Sequence, residues 1–308
     1  MICAILFLNM ITQKCALCGR NNFSVLYPEN FDLKAINEKT FSARRLPDRA
    51  HYRMVRCKTC GLVYSNPILP FKKIEQLYKE SEYTYGTYEQ ELTETYARYV
   101  DQYIAALPEL ETFLEIGCGN GFFLLWAKQC GFKKVFGVEP GQPTIDQADP
   151  KIRKNIIVDI FRKGQFKKNS IDLICLFQIL DHIPDPNAFL GECLRIVKPG
   201  GGVLCINHDV QSYSAKLLGE KSPIIDIEHT YLYDKKTLPQ IFTRNGFLSS
   251  HAFDVSNVYP LEYWLRMFPL PGSIKSPLGA FFSLIGIDKL RIRIPAGNIG
   301  VFARKPNQ

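Results

Sequence analysis

Beyond residue 110 the chain alternates short apolar runs with stretches of helical spacing. Thr112–Ile116, Lys134–Val138, Asn155–Val158, Ile171–Phe177, Val203–Asn207, Phe247–Val255 and Asn298–Arg304 read as seven strands. Helices are predicted over Phe122–Cys130, Asn187–Val197 and Asp234–Asn245. Continuous apolar strands separated by helices predict a parallel sheet covered on both faces. Upstream, Leu92, Tyr96, Tyr99, Tyr103 and Leu107 recur at spacings of three and four, so Tyr88–Leu107 reads as a long amphipathic helix that covers the sheet. A helix and then a loop are expected over 72–85, with Tyr83, Tyr85 and Tyr88 beside Gly86 and placed to fold over a pocket. An aromatic, Pro-rich and basic excursion, 256–297, separates the last two strands.

The 308 residues, 46% of them hydrophobic, fit one large domain or a medium domain with an accessory module. No apolar run reaches the roughly 18–20 residues of a membrane span. The lead-in 1–12 lacks the basic region and cleavage site of a signal peptide, and translation starts at Met1 or Met10. Six of ten cysteines are scattered singly. Five of these, Cys118, Cys130, Cys175, Cys193 and Cys205, fall in predicted elements or the Gly turn and read as small buried hydrophobes, which suits a reducing cytoplasm.

The other four cysteines are Cys15 and Cys18, then Cys57 and Cys60, each pair a C-x-x-C followed by glycine. Two such pairs predict a zinc ribbon with a closed site of four thiolates, structural because no position stays open. The 38 residues between the pairs form a long insertion, with RRLPDR and a lone His51 read as a surface or insertion residue. The organisation expected is a ribbon module over 1–70, linking and covering helices over 71–110, and a main domain over 111–308.

The main domain opens on TFLEIGCGNG, a strand leading into Gly117, Gly119 and Gly121. A turn without Cβ atoms lets a ligand approach the backbone, and the helix beyond it offers free N–H groups. Glu115 ends the strand where a dinucleotide's pyrophosphate would lie, and a carboxylate there repels phosphate but suits an ammonium group. Glu139 ends the second strand 18 residues after Gly121, placed to accept both hydroxyls of a ribose. Asp159 ends the third, placed for an adenine amine, with Ile160 beside the ring. Adenosine, an amino-acid ammonium and no phosphate describe S-adenosylmethionine.

At these residues the chain resembles the class I S-adenosylmethionine-dependent methyltransferases, over roughly 87–308. FLEIGCGNG matches their E-x-G-x-G-x-G motif, VFGVEP the acid of strand two, and DLICLFQILDHIPDPNAFLGECLRIVKPGGGVLCIN the strand-four and post-helix motifs. EHTYLYDKKTL followed by a helix is also similar. The resemblance implies a Rossmann-like α/β sheet of seven strands, order 3-2-1-4-5-7-6, with the last strand antiparallel. The cofactor would lie against Glu115, Gly117, Cys118, Gly119, Gly121, Glu139, Pro140, Asp159, Ile160, Phe177 and Gln178. A ribbon joined to such a domain resembles methyltransferases of sugar and cell-surface-glycan pathways.

An activated methyl needs alignment more than covalent help, but an oxygen or carbon nucleophile still needs a base. His182 and His229 are the first candidates, in loops after strands four and five, and His208 follows. The place of the Asn/Asp-Pro-Pro-aromatic motif of N-methyltransferases reads Phe177-Gln178-Ile179-Leu180, which weighs against N-methylation. The net charge of +8 is uneven: residues 1–60 balance to +6, 255–308 to +5 and the middle to −3. Basic flanks fit an anionic small-molecule acceptor, a nucleic acid or an anionic membrane touched by 256–297. Within that excursion Trp264, Phe268, Phe281 and Phe282 lie among Arg266, Lys275, Lys289, Arg291 and Arg293. An O- or C-methyltransferase of a small molecule leads, with an RNA-modifying enzyme and an inactive scaffold as alternatives.

Overall fold

A computed structural model describes residues 10–31, 50–80, 88–267 and 270–307. RRLPDR, Tyr83, Tyr85 and Phe268 lie outside these residues. Seven strands form the main sheet: β4 (Thr112–Ile116), β5 (Lys134–Glu139), β6 (Ile156–Val158), β7 (Ile171–Phe177), β8 (Val197–His208), β10 (Leu248–Pro260) and β11 (Arg291–Arg304). Their order is β6-β5-β4-β7-β8-β11-β10, with β11 antiparallel to both its neighbours, which is the order and polarity expected. β4 and β7 are buried at every position, as strands covered on both faces must be.

Three predicted boundaries are corrected. The glycines of Lys198–Gly202 do not form a turn before the fifth strand but belong to β8. Gly202 faces the Phe302 ring, so only a residue without Cβ lets that stretch pair flat against β11. The last two strands run past their predicted ends, pairing from Leu248↔Arg304 through Pro260↔Arg291, so 256–260 and 291–297 are sheet rather than insertion. Its tip carries two helices, Leu261–Met267 and Gly272–Leu284. The second has no buried residue, and Phe281 and Leu284 are exposed. Trp264 is held by an Nε1–H bond to the Ile292 carbonyl, 3.0 Å.

The covering helix α2 (Glu89–Ile104) follows α1 (Phe71–Glu80). Its stripe packs as predicted: Tyr99 stacks on Phe253 and Tyr103 on Phe302. The cysteine module contributes β1 (Phe23–Tyr27), β2 (Met54–Cys57) and β3 (Val63–Ser65). A fourth strand, β9 (Tyr231–Leu232), comes from the main domain and pairs with β3 through Val63↔Leu232 and Tyr64↔Tyr231. His51 is not a surface residue: it is fully buried, 2.8 Å from the Tyr52 carbonyl and 3.2 Å from Glu220. Of the five singly placed cysteines, four are buried and Cys130 is partly so.

Candidate active site

One cavity of about 1100 Å³ runs along the C-terminal ends of β4, β5, β7 and β8. At one end lies the glycine turn. Gly117 and Gly119 hold left-handed φ values of 74° and 55°, and a Cβ on Gly117 would run into the Ile179 side chain. The Gly117 N–H donates to the Val138 carbonyl at 2.8 Å, tying the turn to β5. Gly121, also left-handed, caps helix Phe122–Gln129. The Glu139 carboxylate accepts from Gly119 N–H at 3.0 Å and from Gly141 N–H at 3.1 Å, so both loops are fastened to one side chain.

Glu115 has no such support. It is buried, and its Oε2 has no hydrogen-bond partner among the described residues. Burial, reinforced by the charge of Glu139, pushes its pKa well above the usual range. Burial also raises Glu139, against the two backbone N–H groups. A buried carboxyl without a partner beside a cradle of glycines fits a ligand that brings its own ammonium donors. Pro140, Ile160, Phe177, Gln178 and Cys118 line the same cavity. The Cys118 thiol is pushed well up, first by burial and then by Glu115, and is inert. Phe177 stacks on Tyr96 with centroids 3.9 Å apart, giving the cavity a rigid aromatic wall. Gln178 adopts a left-handed φ of 57°, a strained setting for a non-glycine residue. Asp159 lines the cavity too, ion-paired to Lys79 at 3.0 Å and Arg162 at 3.4 Å. Those cations hold its pKa low although burial opposes them.

At the other end the structure gathers three histidines around one acid. Asp181, in a 3-10 turn after β7, is 1% exposed. Its Oδ2 lies 2.8 Å from His208 Nδ1 and 3.8 Å from His229 Nε2. Its Oδ1 lies 3.7 Å from His182 Nε2. Burial opposes ionisation of Asp181, but the surrounding imidazoles, including the hydrogen bond from His208, hold its carboxyl below the usual range. Burial lowers His182 and takes His229 down to about 3, in both cases against the pull of Asp181. The sequence singles out His182, His229 and His208 but neither Asp181 nor Tyr78, whose hydroxyl lies 2.9 Å from His182 Nδ1. An acid preceding a histidine just past an apolar strand was the available signal for Asp181. No local pattern marks Tyr78, which arrives from α1.

The four ribbon thiols converge as predicted. Cys15 and Cys60 sulfurs are 3.4 Å apart and those of Cys18 and Cys57 are 3.5 Å apart, with all four within 4.8 Å of one another. Burial raises the Cys57 thiol, but N–H groups of Cys60 and Thr59 and the Cys18 thiol outweigh it and bring it to about 7. Four converging sulfurs in tight turns fit a tetrahedral zinc ion.

The methyltransferase domain model matches residues 88–249, more than half of the chain. The chain belongs to the methyltransferase family. An uncharacterized methyltransferase of Schizosaccharomyces pombe is 31% identical over 157 residues, 46% of this methyltransferase and 55% of that protein. A ubiquinone biosynthesis O-methyltransferase of Rhodopseudomonas palustris is 24% identical over 139 residues, 43% and 54% respectively. The matched region thus spans about half the length of these relatives. Among solved structures, a SAM-dependent methyltransferase of Thermotoga maritima, described as a possible histamine N-methyltransferase, aligns at a TM-score of 0.49 and 17% identity, covering 75% of this chain and 99% of that one. Among the described residues no helix is long and apolar enough to cross a membrane.

Proposed function

We propose that this methyltransferase moves a methyl group from S-adenosylmethionine to an oxygen or carbon nucleophile of a small molecule, such as a sugar, nucleotide sugar or envelope metabolite. The observation that carries this reading is the single cavity joining the Glu115–Gly119 turn to the Asp181 histidine cluster. The recurrent likeness to ubiquinone biosynthesis O-methyltransferases supports oxygen over carbon.

Glu115 takes the ammonium of the donor, and Gly117 and Gly119 let it approach the backbone. Glu139 takes the ribose hydroxyls while keeping the turn in place, and Asp159 and Ile160 border the adenine. Bound there, S-adenosylmethionine supplies an electrophilic methyl group. Phe177 and Tyr96 form a wall that excludes water and aligns what lies between the two ends. The acceptor's proton goes to His208. Asp181 is acceptor-only as an ionised carboxylate, so His208 Nδ1 must carry the hydrogen between them, and Nε2 keeps a lone pair. Asp181 is therefore a positioning residue and His208 the base, while His182 and His229 flank the acceptor. The ribbon zinc, held by Cys15, Cys18, Cys57 and Cys60, is structural.

Calorimetric titration with S-adenosylmethionine, followed by an assay for S-adenosylhomocysteine release over a panel of sugar nucleotides and phenols, tests the reading. Micromolar binding that Glu115→Ala abolishes supports it. Absence of binding to the parent chain, or equal binding by Glu115→Ala, overturns it.

A further inference from the structure

The acceptor end of the cavity contains a polarity conflict. His229 Nδ1 lies 2.9 Å from the Ile224 carbonyl. A carbonyl only accepts, so Nδ1 carries the hydrogen and the neutral ring presents a bare Nε2. The Tyr78 hydroxyl donates to the Glu228 carbonyl at 3.4 Å and meets His182 Nδ1 at 2.9 Å. In the tautomer in which Tyr78 gives its hydrogen to Glu228, it accepts from His182 Nδ1–H and His182 also presents a bare Nε2. Both bare nitrogens face the Asp181 carboxylate, at 3.7 and 3.8 Å. Asp181 Oδ1 has no hydrogen-bond partner among the described residues, although the residue is 1% exposed. In that tautomer three acceptors converge at the buried Asp181 carboxylate, and no donor lies between them among the described residues.

We propose that Asp181 Oδ1, His182 Nε2 and His229 Nε2 bind a divalent transition-metal ion of the zinc type at the acceptor end of the cavity. The three ligand atoms lie within 4.8 Å of one another. Ligand atoms on one tetrahedral zinc stand about 3.4 Å apart, and the Asp181 carboxylate already lies 3.7 Å from His182 Nε2 through Oδ1 and 3.8 Å from His229 Nε2 through Oδ2. Two imidazoles and one carboxylate on a borderline ion are a preferred donor set. The outer contacts are those of built metal sites. The His229 and His182 rings are held through Nδ1 by a carbonyl and a tyrosine, and Asp181 through Oδ2 by His208. His182, His208 and His229 all line the cavity, so the ion keeps positions open towards an acceptor oxygen, unlike the closed four-thiolate site. Three protein ligands make it a Lewis acid placed to polarise a hydroxyl or carbonyl. His208 remains outside the coordination, free to take the proton.

Metal binding is read without any methyl transfer, so this site stands or falls independently of the methyltransferase reading. The full chain, stripped of all bound metal by a chelator, is titrated with cobalt(II), and a second sample reloaded with zinc is analysed by mass spectrometry. Two equivalents per chain are expected. The first, in the ribbon, shows intense thiolate-to-metal bands. The second shows only weak ligand-field bands. His182→Gln and His229→Gln each lower the total from two equivalents to one and leave the thiolate bands intact, while His208→Gln keeps two. A single equivalent in the parent chain, a second one with thiolate bands, or two equivalents in both ligand variants overturns the proposal. The spectrum of the parent chain decides the matter even where a variant does not fold.

Discussion

Ser65 Oγ donates a hydrogen bond to the backbone carbonyl of His229, 2.9 Å away and fully buried. The Ser65 N–H donates to the Thr230 carbonyl at the same distance. A residue at the end of a cysteine-module strand therefore fixes the loop that carries a cavity histidine. Two hydrogen bonds from Ser65 thus tie the cysteine module to the His229–Thr230 segment.

Removing the ribbon metal should separate the two ends. Treatment with a thiol-specific chelating resin, or a Cys57→Ser substitution, is expected to lower kcat/KM for the acceptor at least tenfold. Affinity for S-adenosylmethionine should change less than about threefold. Calorimetry and steady-state kinetics on the same preparation measure both.

Ser65→Ala leaves a buried carbonyl with one partner fewer, a loss of about 1–3 kcal/mol. In a chain of this size each kcal/mol lowers Tm by about 2 °C or somewhat more. Thermal denaturation should show a fall of a few degrees, together with a reduced kcat.

Glu115 sets a pH dependence whose sign follows from its surroundings. Its pKa is raised in the folded, ligand-free chain, so the carboxyl there is protonated above the ordinary carboxylate range. A cationic ligand favours the ionised form. Affinity for S-adenosylmethionine should therefore rise with pH until Glu115 ionises unaided, and up to one proton should leave per ligand bound. Calorimetry in buffers of different ionisation enthalpy counts that proton, and Glu115→Gln should lose both the slope and most of the affinity. The same shift means that the Glu115 contribution to stability is largest at acidic pH and falls as pH rises towards its folded pKa.

His208→Gln removes the proposed base and leaves the donor site untouched. A loss of about 10²-fold or more in kcat is expected, within the range of general-base catalysis. S-adenosylmethionine affinity should stay unchanged.

What could be read beforehand followed the reach of local signals. Thr112–Gly121 carries its strand, its turn and its ligand chemistry within ten residues, and the sheet order followed from the family resemblance there. The cysteine pairs were legible for the same reason, since each knuckle is complete in four residues. Asp181 could be seen as a neighbour of His182, but its meeting with His208 and His229 depends on three loops converging above β7 and β8. His51 read as a surface or insertion residue, and its burial was not legible because it depends on contacts such as that with Glu220, 169 positions away. The long β10–β11 ribbon was hidden because Pro260, Pro295 and Gly297 look like loop residues, yet cross-strand pairing carries both strands past their predicted ends.

The β3–β9 pairing also bears on how the chain folds. The cysteine module leaves the ribosome first, but the strand that completes its sheet follows about 170 residues later. Until then β3 has an open edge, and edges of that kind invite wrong partners. Closing so long a loop is also slow compared with forming local contacts. The ribbon therefore reaches its final form only after most of the catalytic domain has been made. It is not a detachable tag: a chain cut near residue 70 would part β3 from β9 and leave β3 paired with β2 alone.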